Sequence, residues 1–289
     1  MYQSFEEIGE LEKATGKTFW EIVRDADCRE LEITAEEAFN RMADRYEAMR
    51  SADASYSPSL TSSSGLTGGD GEKIAAARQA GTLLCGPFIG LVMEKAVKMG
   101  ESNACMRRIV AAPTAGSCGV LPAVLLSLET ERNYPVTEMV KALYTAAGIG
   151  GIIAQRASVS GAAGGCQAEI GAASAMAAGG VAYLLGGDSE VIAHAAALAM
   201  KNLLGLACDP VAGLVEVPCV KRNVIGAVNA LTSADLAVSG IRSRIPPDEV
   251  FDAMRSIGRI MPEELKETGR GGLAATPTGL SYKEALKGF

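Results

Sequence analysis

Sulfur and small polar loops are where this sequence can do chemistry. Its seven cysteines stand at positions 28, 85, 105, 118, 166, 208 and 219. Cys28, Cys85 and Cys105 lie in helical or amphipathic surroundings, where a lone cysteine is ordinarily a small apolar side chain. Cys118 closes a glycine loop, Ala112-Pro113-Thr114-Ala115-Gly116-Ser117-Cys118-Gly119. The last three have another setting: Gly164-Gly165 precedes Cys166, Asp209-Pro210 follows Cys208, and Pro218 precedes Cys219. Turns of this kind can aim sulfur at a common centre, and thiolate suits iron and zinc alike. Neither interval among the three is a C-x-x-C spacing. From the residues alone, a three-cysteine metal site and three scattered core thiols both stand.

Hydroxyl-bearing loops accompany the sulfur. One runs Ser62-Ser63-Ser64-Gly65-Leu66-Thr67-Gly68-Gly69-Asp70-Gly71, another Ser158-Val159-Ser160-Gly161-Ala162-Ala163-Gly164-Gly165-Cys166, and Lys221-Arg222 follow Cys219. Such loops bind anions through free N–H groups ahead of a helix, or make ordinary turns. None carries the Gly-Lys-Ser/Thr of a Walker loop, so a nucleotide site of that type is excluded. The single histidine, His194, lies in an alanine-rich run and reads as a packed side chain; one histidine cannot build a histidine-ligated zinc site. No pair of carboxylates can be chosen from the sequence, and the general base is unassigned.

The elements that must hold these loops are helical. Ser4 with Glu7, Thr18 with Glu21, and Thr34 with Glu37 each fit the capping-box pattern, so residues 1–50 read as three short helices. Further helices are predicted over 72–99, 120–131, 137–147, 167–185, 189–206 and 247–261, the last opened by Pro246-Pro247. Val215-Glu216-Val217 is the nearest approach to a strand. The expected fold is mainly α: a single large helical domain whose glycine-rich loops converge on one site. Residues 1–50 would pack on the core, 51–71 would form a Ser/Gly-rich loop, and 72–289 the catalytic core.

Composition narrows the function. A net charge of −7 removes the clustered Lys and Arg that a sequence-independent grip on nucleic acid requires. The start, MYQSFEEIGELEKATG, is acidic and amphipathic, unlike a secretory leader. The cysteines are then expected as thiols in the reducing cytoplasm. Two small-residue runs, 171–187 and 191–207, invite a membrane reading, but the first is short and His194, Lys201 and Asn202 break the second, so buried helices are expected.

SSSGLTGGDG, APTAGSCGVLPA, SVSGAAGGCQAEIGAASAMAAGG and LACDPVAGLVEVPCVKRN together resemble the α chain of iron–sulfur-dependent L-serine dehydratase, from the N-terminal helices to PTGLSYKEAL. The resemblance implies a [4Fe–4S] cluster on Cys166, Cys208 and Cys219, with one iron left open. It implies deamination of L-serine to pyruvate and ammonia without pyridoxal phosphate. Ser62, Ser63, Ser64, Thr114 and Ser117 would line the substrate pocket, and Lys221 and Arg222 would offset the charge of the substrate carboxylate or the cluster. The base would be a serine alkoxide or a residue of a partner chain. Single-chain relatives carry an N-terminal domain with a substrate-facing histidine and end with a cysteine. This sequence shows neither, ending Lys287-Gly288-Phe289, so a two-chain enzyme with a separate β subunit, a hetero-oligomer, is expected. The alternatives are a cluster-dependent lyase acting on threonine or cysteine, a non-catalytic iron–sulfur protein with four protein ligands, and a small-residue membrane protein.

Overall fold

Each capping signal near the N-terminus opens a helix in the computed structural model, which describes residues 2–286. The helices are α1 (Phe5–Thr15), α2 (Phe19–Leu31) and α3 (Ala35–Ala54). Ser4 Oγ accepts the N–H of Glu7 at 3.0 Å, and Thr34 Oγ1 that of Glu37 at 3.1 Å. At Thr18 the Glu21 carboxylate reaches back to the backbone N–H at 2.9 Å. An unforeseen cap joins chain ends: Asp248 accepts the N–H of Phe5 at 3.0 Å, and Phe5 stacks on Phe251 with centroids 5.6 Å apart.

Ten helices follow: α4 (Asp70–Gln79), α5 (Gly86–Ala104), α6 (Val120–Arg132), α7 (Val136–Arg156), α8 (Gly161–Gly164), α9 (Ile170–Leu184), α10 (Ser189–Lys201), α11 (Cys219–Val238), α12 (Pro247–Ile260) and α13 (Pro277–Ala285). No strand occurs among the described residues; one isolated bridge pairs Cys208 with Lys266. The fold is mainly α, as the sequence suggests. Helix α9 is its axis, buried along Ile170–Ala182 and packed by α6, α7, α10 and α11. Alanine, glycine and serine dominate it, so its neighbours approach closely on every side. A Cβ at Gly226 of α11 would come within 2.9 Å of Ile170 and Val120.

Some boundaries differ from the periodicity. The helix expected over 72–99 is two, because Gly81 and Gly86 adopt left-handed backbone (φ 70° and 73°) and end the first. The 137–147 helix continues to Arg156 through Gly148 and Gly150, whose bare faces meet Val23 and Met176. The helix read as 167–185 starts at Ile170, after a tight turn at Cys166–Ala168, and that read as 189–206 ends at Lys201. Helices α11 and α13 were not foreseen, and Val215 to Val217 form a turn, not a strand. Lys287 to Phe289, where the absence of a terminal cysteine was noted, lie outside the described residues. Among the described residues one helix, Val136–Arg156, is long and apolar enough to cross a membrane, yet 56% of its apolar window is buried inside the protein.

His194 is packed, with its Nδ1 accepting the N–H of Ser243 at 3.2 Å, so the ring is neutral. Burial first, then Arg242, hold its pKa below the usual value against an opposing pull from Glu190, with a lesser contribution from Lys201. The unfolded chain therefore takes up this proton more readily. The stability that neutral His194 contributes is complete above its unfolded pKa of about 6.5, and is lost as pH falls toward the lower folded value. His194→Asn, whose amide oxygen can accept the same N–H, is expected to flatten the fall in urea midpoint between about pH 7 and pH 5. Parallel pH profiles for the two proteins would contradict this.

Candidate metal centre

Three chain segments bring the sulfurs together. After α8, Gly165 turns with φ 74° and delivers Cys166. Gln167 pins this turn, its buried amide donating to Met254 O at 3.1 Å and accepting from Gly205 N at 2.9 Å. Cys208 lies in extended backbone, clasped by Leu265 O and Glu267 N at 2.8 Å each. The loop from Cys208 to Cys219 is closed by Val211 N donating to Val217 O at 2.8 Å. Cys219 is the first residue of α11.

Cys166, Cys208 and Cys219 are 3%, 3% and 8% exposed. Burial pushes the Cys166 thiol up to about 11 and that of Cys219 up to about 12. Cys208 is raised furthest, by burial, then by Glu169, then by Cys166 and Cys219 themselves. The three sulfurs thus share one electrostatic neighbourhood, and as bare groups they are neutral thiols. Such thiols can exchange their protons for a soft cation. Among the described residues no three His, Cys, Asp or Glu groups are arranged to hold a single ion.

Charged groups surround the sulfur. Arg222, one turn into α11, reaches Asp209 at 2.8 Å and Ala207 O at 2.7 Å, and its guanidinium lies against Cys166. Lys221 faces outward, 54% exposed, and pairs with Asp70 at 2.7 Å. Of the two cations expected at the site, only Arg222 is beside the cysteines. Glu169 accepts Thr114 Oγ1 at 2.8 Å and lies 3.6 Å from Cys208 Sγ. Burial raises its pKa, with a further push from Glu267. Gly161 and Gly116 make room for this carboxylate: a Cβ would stand 2.6 Å and 3.1 Å from its oxygens.

Of the hydroxyl loops, that of Thr114 reaches this region through Glu169, and that of Ser62–Ser64 is tied to Glu216. Ser62 and Ser64 both donate to Glu216 Oε2, at 2.6 Å and 2.8 Å, while Ser63 is exposed. Ser117 is wholly buried, its hydroxyl spent on a turn with Thr114 at 3.2 Å. Asn223 of α11 ties the Thr114 loop down, accepting Gly119 N at 2.8 Å and donating to Gly116 O at 2.9 Å. Glu169, Glu216, Asp209 and Asn223 were not among the residues anticipated. Asn223 sits four positions after Cys219 and would have been visible had α11 been foreseen.

The described residues thus form a helical scaffold with hydroxyl loops and buried carboxylates beside buried cysteines. The family described as "Serine dehydratase alpha chain" matches residues 14–274, and the chain belongs to it. It is 46% identical over 288 residues to the "Probable L-serine dehydratase, alpha chain" of Bacillus subtilis (strain 168), covering 100% of this chain and 96% of that one. It is 39% identical over 280 residues to the "L-serine dehydratase, alpha chain" of Peptoniphilus asaccharolyticus, covering 96% of each. With the "L-serine dehydratase TdcG" of Escherichia coli (strain K12) the identity is 45% over 182 residues, 62% of this chain but only 40% of that protein.

Proposed function

We infer that this chain is the α subunit of an L-serine dehydratase, a lyase converting L-serine to pyruvate and ammonia with a [4Fe–4S] cluster on Cys166, Cys208 and Cys219. One observation carries the reading: three cysteines distant in sequence become buried electrostatic neighbours beside Glu169 and the Thr114 loop. When bound, the cluster supplies a Lewis acid, at an iron without a protein ligand, that eases departure of the serine hydroxyl.

The chain's own residues do the rest. Arg222 offsets the negative charge of deprotonated sulfur, and Asp209 holds its guanidinium in place. Ser63 and the backbone N–H groups of its loop orient the substrate, and Thr114 borders it. Loss of the α-proton and of hydroxide leaves 2-aminoacrylate, which tautomerises to an imine and takes up water to give pyruvate and ammonia. In this reading residues 1–50 pack on the core, 51–71 face the substrate, and 72–289 form the catalytic core. A separate β subunit completes the site in a cytoplasmic hetero-oligomer. Relatives named alpha chain, and longer relatives that this chain matches over only part of their length, support that arrangement.

The test is reconstitution with iron and sulfide under nitrogen, alone and with the β subunit. Expected are four irons per chain, a visible spectrum that L-serine perturbs, pyruvate formation with the partner present, and loss of activity in air. A cluster indifferent to serine, or activity that is equal and lasting in air, would sink the reading.

A further inference from the structure

Glu216 is a buried acid with no cation paired to it among the described residues. It is 6% exposed, and its side chain accepts from two donors among the described residues, Ser62 at 2.6 Å and Ser64 at 2.8 Å, both on Oε2. The cations nearest in sequence are engaged elsewhere, Lys221 with Asp70 at 2.7 Å and Arg222 with Asp209 at 2.8 Å. Removing a carboxylate from water is costly unless a cation or several N–H donors meet it, and two neutral hydroxyls compensate weakly. Other buried acids of this chain are met more fully. Glu94 has Arg78 at 2.8 Å and Lys98 at 2.6 Å. Glu101 has the N–H groups of Asp70 and Gly71, at 2.7 Å and 3.1 Å, and the Tyr56 hydroxyl at 2.7 Å.

Glu216 is also rigidly held. The Ser62 and Ser64 hydroxyl oxygens lie 3.0 Å apart, Ser64 Oγ accepts Leu66 N at 3.1 Å, and Ser62 N donates to Thr67 O at 2.8 Å. One carboxylate oxygen is therefore fixed by a closed loop, three residues ahead of Cys219, and Oε1 has no partner among the described residues. A carboxylate held through one oxygen by the Ser62–Ser64 loop, with its other oxygen open, can receive a small cation.

We propose that Glu216 recognises the α-ammonium group of the substrate through Oε1 while Ser62 and Ser64 lock Oε2. The inference rests on the L-serine reading above and adds the atom that reads the amine. It makes Glu216 a specificity determinant, since a hydroxy acid without the amine leaves the carboxylate unpaired and is rejected.

Glu216→Gln keeps the size and an acceptor for both serines and removes the charge. The loaded enzyme with its partner subunit is titrated calorimetrically with L-serine and with 3-hydroxypropionate, which is serine without its amine. Wild type is expected to favour L-serine by about 10- to 100-fold, the worth of a hydrogen bond between charged groups. The variant should lose that preference through weaker L-serine binding, with iron content and hydrogen exchange of residues 62–71 unchanged. A variant that keeps the preference overturns the proposal, as does one whose loop opens to exchange, which would make Glu216 a structural clasp. Wild type that makes pyruvate but binds the two compounds equally refutes the ammonium role alone. Wild type that binds neither and makes no pyruvate takes the dehydratase reading down with it.

Discussion

Arg222→Met is expected to destabilise the chain, even without cofactor, by about 3–5 kcal/mol, the cost of removing one partner from a buried ion pair. The guanidinium is 15% exposed and ties the start of α11 to the Ala207–Asp209 segment. It reaches Asp209 at 2.8 Å and Ala207 O at 2.7 Å, and Asp209 in turn accepts the N–H of Leu273 at 2.8 Å. Burial alone would lower the Arg222 pKa, yet its contacts with Cys166 and the Asp209 carboxylate raise it overall, so the guanidinium stays charged. Methionine fills much of the space and leaves Asp209, 5% exposed, with no cation. Arg222→Lys should fall between, because an ammonium cannot reproduce the fork that spans carboxylate and carbonyl. Urea denaturation of the three proteins measures the series. Asp209→Asn combined with Arg222→Met should cost less than the two single changes added, since the buried charge is then gone. A loss below about 1 kcal/mol for Arg222→Met would place the pair among solvated ones.

How much of this centre could be read from the chain depends on the range of the interaction. Local signals were legible: Ser4, Thr18 and Thr34 cap helices because each acts within three residues. The run of small residues in α9 announced a helix buried all round for the same reason. The split between α4 and α5 was not legible, since the apolar pattern continues across a break made by two glycines in left-handed backbone. Helix α11 was hidden behind Pro218, which made Cys219 to Asn223 look like a loop and concealed that Lys221 and Arg222 point to opposite sides. The carboxylates were beyond reach for a simpler reason. Glu169 meets Thr114 from 55 positions away and Glu216 meets Ser62 from 154, and no spacing rule spans such intervals. The cysteines sat between these extremes. Their turns singled them out, the family resemblance selected the set, and the fold explains how a glycine turn, an extended segment and a helix start deliver them to one place.

Serine in place of Cys166, Cys208 or Cys219 should each abolish iron retention and reduce pyruvate formation by more than about 100-fold, because changes to the outer partners of a metal site already cost 10- to 100-fold. A hydroxyl is a hard, weakly acidic donor and cannot replace thiolate toward iron. The decisive control is Cys118, which is as buried as the other three, at 0% exposed, and whose pKa is pushed up to about 12 by burial. Its Sγ points to Met99 O at 3.7 Å, in a small cluster with Ala52 and Met99 away from Arg222. Cys118→Ser should therefore cost stability, about 1–3 kcal/mol if the hydroxyl finds no good partner, while iron and sulfide content stay at the wild-type value. Burial is common to all four residues, so it cannot by itself produce a difference between them. What separates the three from Cys118 is mutual proximity and the Arg222 guanidinium, and iron content measured across the four variants reads that difference. Equal iron loss in all four would trace the defect to core packing, and full retention in any of the three would remove that cysteine from the ligand set.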